Sequence, residues 1–187
     1  MRVINNNKAV FSMWHLVETL NSNYVLKEDS SLKLNDAVEI TFDGSLNFAM
    51  KVGSGLSNTS KMPSFSFNLS ALDCITGSKL VNVKGSVCFG CYALKGNYQR
   101  YKLPVKMQPK TAKISNARWV EAMTYLINNQ GNKKDKGYFR WHDSGDIQSL
   151  EHLRKIALVC EQTPEVSHWI PTREYKIVKM YLDIHGK

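Results

Sequence analysis

Three short apolar stretches, Ser64–Leu72 (SFSFNLSAL), Tyr138–His142 (YFRWH) and Val166–Pro171 (VSHWIP), each lead into a polar segment and then a helical pattern. Ser115–Asn129 sets Trp119, Met123, Leu126 and Ile127 on one helix face. Ser149–Thr163 sets Leu150, Leu153, Ile156, Ala157 and Cys160 on another, with Ser149 as its cap. A third helix begins at Arg173. Such alternation predicts an α/β unit on a parallel sheet. Trp119, Trp141 and Trp169 are expected in its core. The 187 residues suffice for one domain with a sizeable core, assigned here to 61–187. Residues 1–60 read as an N-terminal extension. It is expected to hold a helix over Ala9–Leu20 and a β-hairpin, its strands Asp36–Phe42 and Leu46–Val52 turning at Asp43-Gly44.

In parallel α/β sheets the chemistry gathers at the C-terminal ends of the strands. Three features fall there. Cys74 follows the first strand, Asp143-Ser144-Gly145-Asp146 the second, and Thr172-Arg173 the third. Thirteen residues after Cys74, Cys88 and Cys91 form a C-x-x-C turn, whose two thiols can face one metal if the intervening loop folds back. Cysteines clustered in a reducing compartment more often hold metal than form disulfides. A structural zinc needs a fourth ligand, for which Cys160 and five histidines are the candidates. Cys160, on an apolar helix stripe, reads as a small core residue. Three thiolates alone fit a [4Fe–4S] cluster with one iron open to a small molecule. Zinc remains the alternative. Asp143–Asp146 is also an ordinary turn sequence, and a second reading of Arg173 pairs it with Glu174 or Glu165 at the surface.

The net charge is +9, and from Lys95 to Lys134 nine Lys and Arg face one acid, Glu121. A basic stripe attracts polyanions, so non-specific nucleic acid is one expected partner; a solvated helix face is the other reading. No apolar window reaches membrane-spanning length. The polar start, Met1–Ala9, lacks a signal-peptide core, so the chain is expected in the cytosol.

The segments KMPSFSFNLSALDC, CFGCYALKGNY and YFRWHDSGDIQSLEHLRKIALVCEQTPEVSHWIPTREY resemble a bacteriophage gene product 88 family over Lys61–Tyr175. That resemblance places the protein in the host cell cytoplasm. The layout is also similar to a shortened radical-SAM core, in which three cysteines after the first strand hold a [4Fe–4S] cluster and S-adenosylmethionine chelates the open iron. This resemblance implies Cys74, Cys88 and Cys91 as cluster ligands. It makes Asp143–Asp146 the element that receives the methionine ammonium, and Arg173 the partner of its carboxylate. The usual first cysteine gap in that fold is three residues rather than thirteen. With twelve residues after Tyr175, the implied fold is a partial β/α barrel.

Overall fold

The computed structural model describes residues 44–59, 62–129 and 137–186. The expected helix over Ala9–Leu20 and strand over Asp36–Phe42 lie outside them. The other half of the expected hairpin is a helix: α1 spans Leu46–Gly53. Leu46, Phe48, Met50 and Val52 alternate as in a strand, but Phe48, Ala49 and Val52 also share a helical face. The start is fixed by Ser45, whose Oγ accepts from the Phe48 amide at 3.1 Å. The helix then buries Ala49 and Val52 against α5, Trp119–Asn128. Gly53 makes the close approach possible, since a Cβ there would lie 2.9 Å from Leu126 Cδ1 and 3.3 Å from Met123 Sδ.

The sheet is parallel, in the order β1 (Ser66–Phe67), β2 (Tyr138–Trp141), β3 (Ser167–Trp169). Ser66 pairs with Arg140 and Phe67 with Trp141; Phe139 pairs with His168 and Arg140 with Trp169. The three strands form an open sheet rather than a barrel. β2 stops at Trp141 because His142 takes a left-handed backbone, φ +56°, which cannot continue a strand. The segment after β1 carries α2 (Ile75–Leu80), α3 (Gly96–Arg100) and α4 (Leu103–Lys113) ahead of α5. After β2 comes α6 (Leu150–Gln162), where Ser149 Oγ accepts from the His152 amide at 3.0 Å. After β3 comes α7 (Tyr175–His185). No helix among the described residues is long and apolar enough to cross a membrane.

Phe67, Phe139, Trp141 and Trp119 form the aromatic centre of the core, with ring centroids 5.0–6.1 Å apart in the contacting pairs. Cys160 is buried in the same cluster, as its position on the α6 stripe implies. Trp169 is not in the core: it is 46% exposed, and the Arg140 guanidinium lies 4.7 Å from its ring centroid.

The core also holds three imidazoles. His168 accepts from Trp141 Nε1 at 3.1 Å and bonds Thr163 Oγ1 at 2.8 Å. His142 and His152 meet edge to face at 5.4 Å. Both ring nitrogens of His142 lack partners among the described residues. Burial pushes His142 down to about 3 and His168 to about 4, and His152 well below the ordinary imidazole value. The unfolded chain protonates these groups below about pH 6.5, while the folded chain keeps them neutral. Stability is therefore fully present above pH 6.5 and falls with acid, by up to about 1.4 kcal/mol per pH unit for each histidine. Chemical denaturation at fixed salt should show a loss of several kcal/mol between pH 7 and pH 5. A flat profile would contradict these protonation states.

Candidate metal centre

From Phe67 the chain leaves the sheet through Asn68-Leu69-Ser70 into a 3-10 turn, Ala71–Asp73. Ser70 Oγ caps that turn by accepting from the Leu72 amide at 3.1 Å. This sets Cys74 at the start of α2. Beyond α2 the chain doubles back through successive tight turns. Val83, Ser86 and Phe89 each donate to the carbonyl three residues earlier, and the Gly90 amide reaches Val81 O at 3.0 Å. Cys88 is fixed within these turns by its amide bond to Ser86 Oγ, 3.0 Å. The fold-back brings Cys88 to Cys74. A Cβ on Gly77 would lie 3.6 Å from Cys74 Sγ and 3.8 Å from Cys88 Sγ, so both sulfurs face one small space that glycine leaves open. Cys91 is near enough to raise the pKa of both other thiols. Cys160 stays apart in the core.

Among the described residues no three His, Cys, Asp or Glu side chains group closely enough to hold a single metal ion. One zinc with bonds of about 2.3 Å draws its thiolates to about 3.8 Å from each other. An iron–sulfur cubane binds each thiolate at a separate iron and spreads them wider. Here the Cys74 and Cys88 sulfurs face one small space, and Cys91 lies near both.

The two other strand ends support this loop. Asp143 is buried; its carboxylate accepts from Ser66 Oγ at 3.1 Å and Tyr98 OH at 3.3 Å. Its carbonyl accepts from the hydroxyl of Tyr92, the neighbour of Cys91. Ser144 Oγ donates to Leu69 O at 2.9 Å, and Ser144 O accepts from the Leu69 amide at 3.0 Å. Gly145 lies flat against Leu69, with φ +77°. Asp146 accepts from the Ile147 amide (2.8 Å), Thr172 Oγ1 (2.5 Å) and the Arg173 amide (2.8 Å). The whole Asp143–Asp146 segment thus stitches the end of β2 to the ends of β1 and β3. Three of the roughly four acceptor positions on the Asp146 carboxylate are taken.

Arg173 bonds the Tyr175 hydroxyl, with its guanidinium carbon 5.7 Å from that ring's centroid. Its charge reaches Cys88. The expected pairing with Glu174 at the surface is not made, because Glu174 is buried and turned to Thr76, two residues after Cys74. Its two carboxylate oxygens accept from the amide and hydroxyl of Thr76, at 2.7 and 2.8 Å. The sequence offered no signal for this contact across 98 positions beyond the place of Glu174 at a strand end. Glu174→Ala leaves the Thr76 amide without its charged partner, and should cost about 1.5–3 kcal/mol. It should also free Cys74, and so lower the content of any metal held there. Glu165→Ala, at an exposed position, should change neither. Equal thermal stability and metal content in both variants would refute the clamp.

Burial lifts the Cys74 thiol to about 12, helped by Asp146, Cys91, Cys88 and Glu174. Cys88 is raised by burial too, with Arg173 opposing. Burial raises Asp146, against its three hydrogen bonds. Such a site disfavours free thiolates, so it is a poor nucleophile. It instead suits a positively charged metal core, which deprotonates the thiols it binds. Lys95 adds a cation at the C-x-x-C turn: a Cβ on Gly90 would lie 2.8 Å from its Nζ.

The basic segment is less uniform than its sequence. Lys110 turns inward, donating to Asn68 Oδ1 at 3.0 Å and lying over Phe67, with burial lowering its pKa. Arg118 pairs with Glu121 at 3.0 Å. Lys95, Arg100, Lys102 and Lys106 are exposed. Lys133 and Lys134 lie outside the described residues.

The sequence model of the family described as gene product 88 matches residues 29–185. No curated protein and no solved structure matches the chain.

Proposed function

The chain belongs to the gene product 88 family of phage proteins, and we propose that it is an iron–sulfur protein whose [4Fe–4S] cluster is held by Cys74, Cys88 and Cys91. The observation that carries this reading is the approach of the Cys74 and Cys88 sulfurs to the space beside Gly77, with Cys91 close enough to act on both. Bound there, the cluster would supply an electron-accepting centre with one iron lacking a protein thiolate. The chain's own residues would hold and orient a ligand at that iron. Arg173 brings a guanidinium suited to a carboxylate, and the remaining acceptor position of Asp146 suits an ammonium. Lys95 offsets negative charge at the turn. A compound with both an α-amine and an α-carboxylate, S-adenosylmethionine above all, fits that pair, and a reductive or radical reaction on it is the activity we assign.

The test is spectroscopic. Adding S-adenosylmethionine to the reduced protein should change its electron paramagnetic resonance spectrum. Arg173→Gln should keep the iron but weaken the response at least tenfold. Asp146→Asn is the poorer probe, since an amide cannot accept all three of the donors that Asp146 serves. An unchanged spectrum with full iron would leave an electron carrier rather than an enzyme of this class.

A further inference from the structure

The loop that presents the cysteines also presents apolar side chains to solvent. Val83 is 48% exposed, Val87 70% and Phe89 50%. Val87 and Phe89 flank Cys88 on either side. All three belong to the short run of tight turns that folds this loop back. Exposed lysines belong to the same loop: Lys79 in the last turn of α2, Lys84 in the tight turns, and Lys95 beside Gly90. Between Asp73 and Glu121 the chain has nine Lys and Arg and no acid. An apolar centre with a charged rim is the composition of a protein interface. A nucleic-acid surface would present arginine and stacking aromatics to phosphate and bases, and has no use for exposed valines.

We propose that this loop is the docking surface for a small acidic protein that carries single electrons. The inference rests on the cluster reading above, because the partner's role is to bring one electron to the centre behind Cys88. One electron leaves the reduced carrier and enters the cluster; the carrier departs oxidised by one electron, and no proton or group moves. Opposite charge steers and orients the encounter, and the apolar centre holds it. The loop residues beside Cys88 set the short path between the two centres.

The experiment measures complex formation between the intact protein and a purified acidic [2Fe–2S] ferredoxin, by titration calorimetry at low and physiological salt. Affinity should fall about tenfold or more between the two salts. The double variant Lys84→Glu with Val87→Ser should weaken binding at least tenfold. Lys51→Glu, the same charge change on exposed α1, should stay within twofold of the parent. Stopped-flow reduction of the protein's cluster by the reduced ferredoxin should slow in the double variant alone. Docking is read without electron transfer, so iron-free protein would sink the cluster reading while the variant series still judges the surface. Equal binding by parent and double variant would overturn the proposal. So would tighter binding of a single-stranded oligonucleotide to the same loop.

Discussion

Alanine at Cys74, Cys88 or Cys91 is expected to give a folded, colourless protein without its metal, whereas Cys160→Ala keeps the metal. The three positions are half-buried on a loop outside the aromatic core. Losing one sulfur there removes little packing, on the order of 1 kcal/mol or less, but it takes one of the three proposed ligands. Cys160 is the reverse case. It is buried among core side chains, so its truncation costs about 1 kcal/mol of packing and touches no ligand. The variants therefore separate cleanly: iron content drops to background in three and is unchanged in the fourth. Iron assays beside circular dichroism of each variant check this. Loss of iron in Cys160→Ala with the fold intact would make Cys160 a fourth ligand and close the open iron.

The largest effect on stability is expected at Gly145. A Cβ there would meet Leu69 Cβ at 2.6 Å and the Leu69 carbonyl carbon and oxygen at 2.8 and 2.9 Å. None of these atoms is the end of a flexible side chain. The φ of +77° adds left-handed strain, worth about 1–2 kcal/mol for an alanine. Overpacking adds about 1–3 kcal/mol. Gly145→Ala should therefore lose about 2–5 kcal/mol in denaturant titrations. It should also disturb the paired Ser144 and Leu69 backbones, and through them the turn that precedes Cys74. Gly85→Ala is the control: it shares a positive φ of 83° but has nothing within 4 Å, and should cost only the strain. Equal losses in the two variants would mean that the contact with Leu69 is not made.

The parallel order of the strands was legible because each apolar run was short, bounded by polar turns and followed by a helix of clear period. The convergence of Cys74, Asp143–Asp146 and Thr172-Arg173 at the strand ends followed from that order. The helix at Leu46–Gly53 was not legible as such, since its apolar residues satisfy both periods. What decides it is burial of Ala49 and Val52 on α5, a tertiary contact. Trp169 misled for a similar reason. A tryptophan on an edge strand can lie flat under an arginine and stay half in water. The structural part played by the Asp143–Asp146 segment was not legible. Its residue types suggested groups waiting for a ligand, yet most of their hydrogen-bonding capacity joins the three strand ends. Glu174, read as a surface charge, is the buried clamp on the cysteine segment. No local pattern announces a bond that forms only when two strand ends meet.

The central claim is the proposed [4Fe–4S] cluster on the three cysteines. Protein purified without oxygen should be brown and contain about four iron and four sulfide per chain. After one-electron reduction it should show a paramagnetic signal that disappears in Cys88→Ala. Colourless protein with stoichiometric zinc and no sulfide would contradict the account.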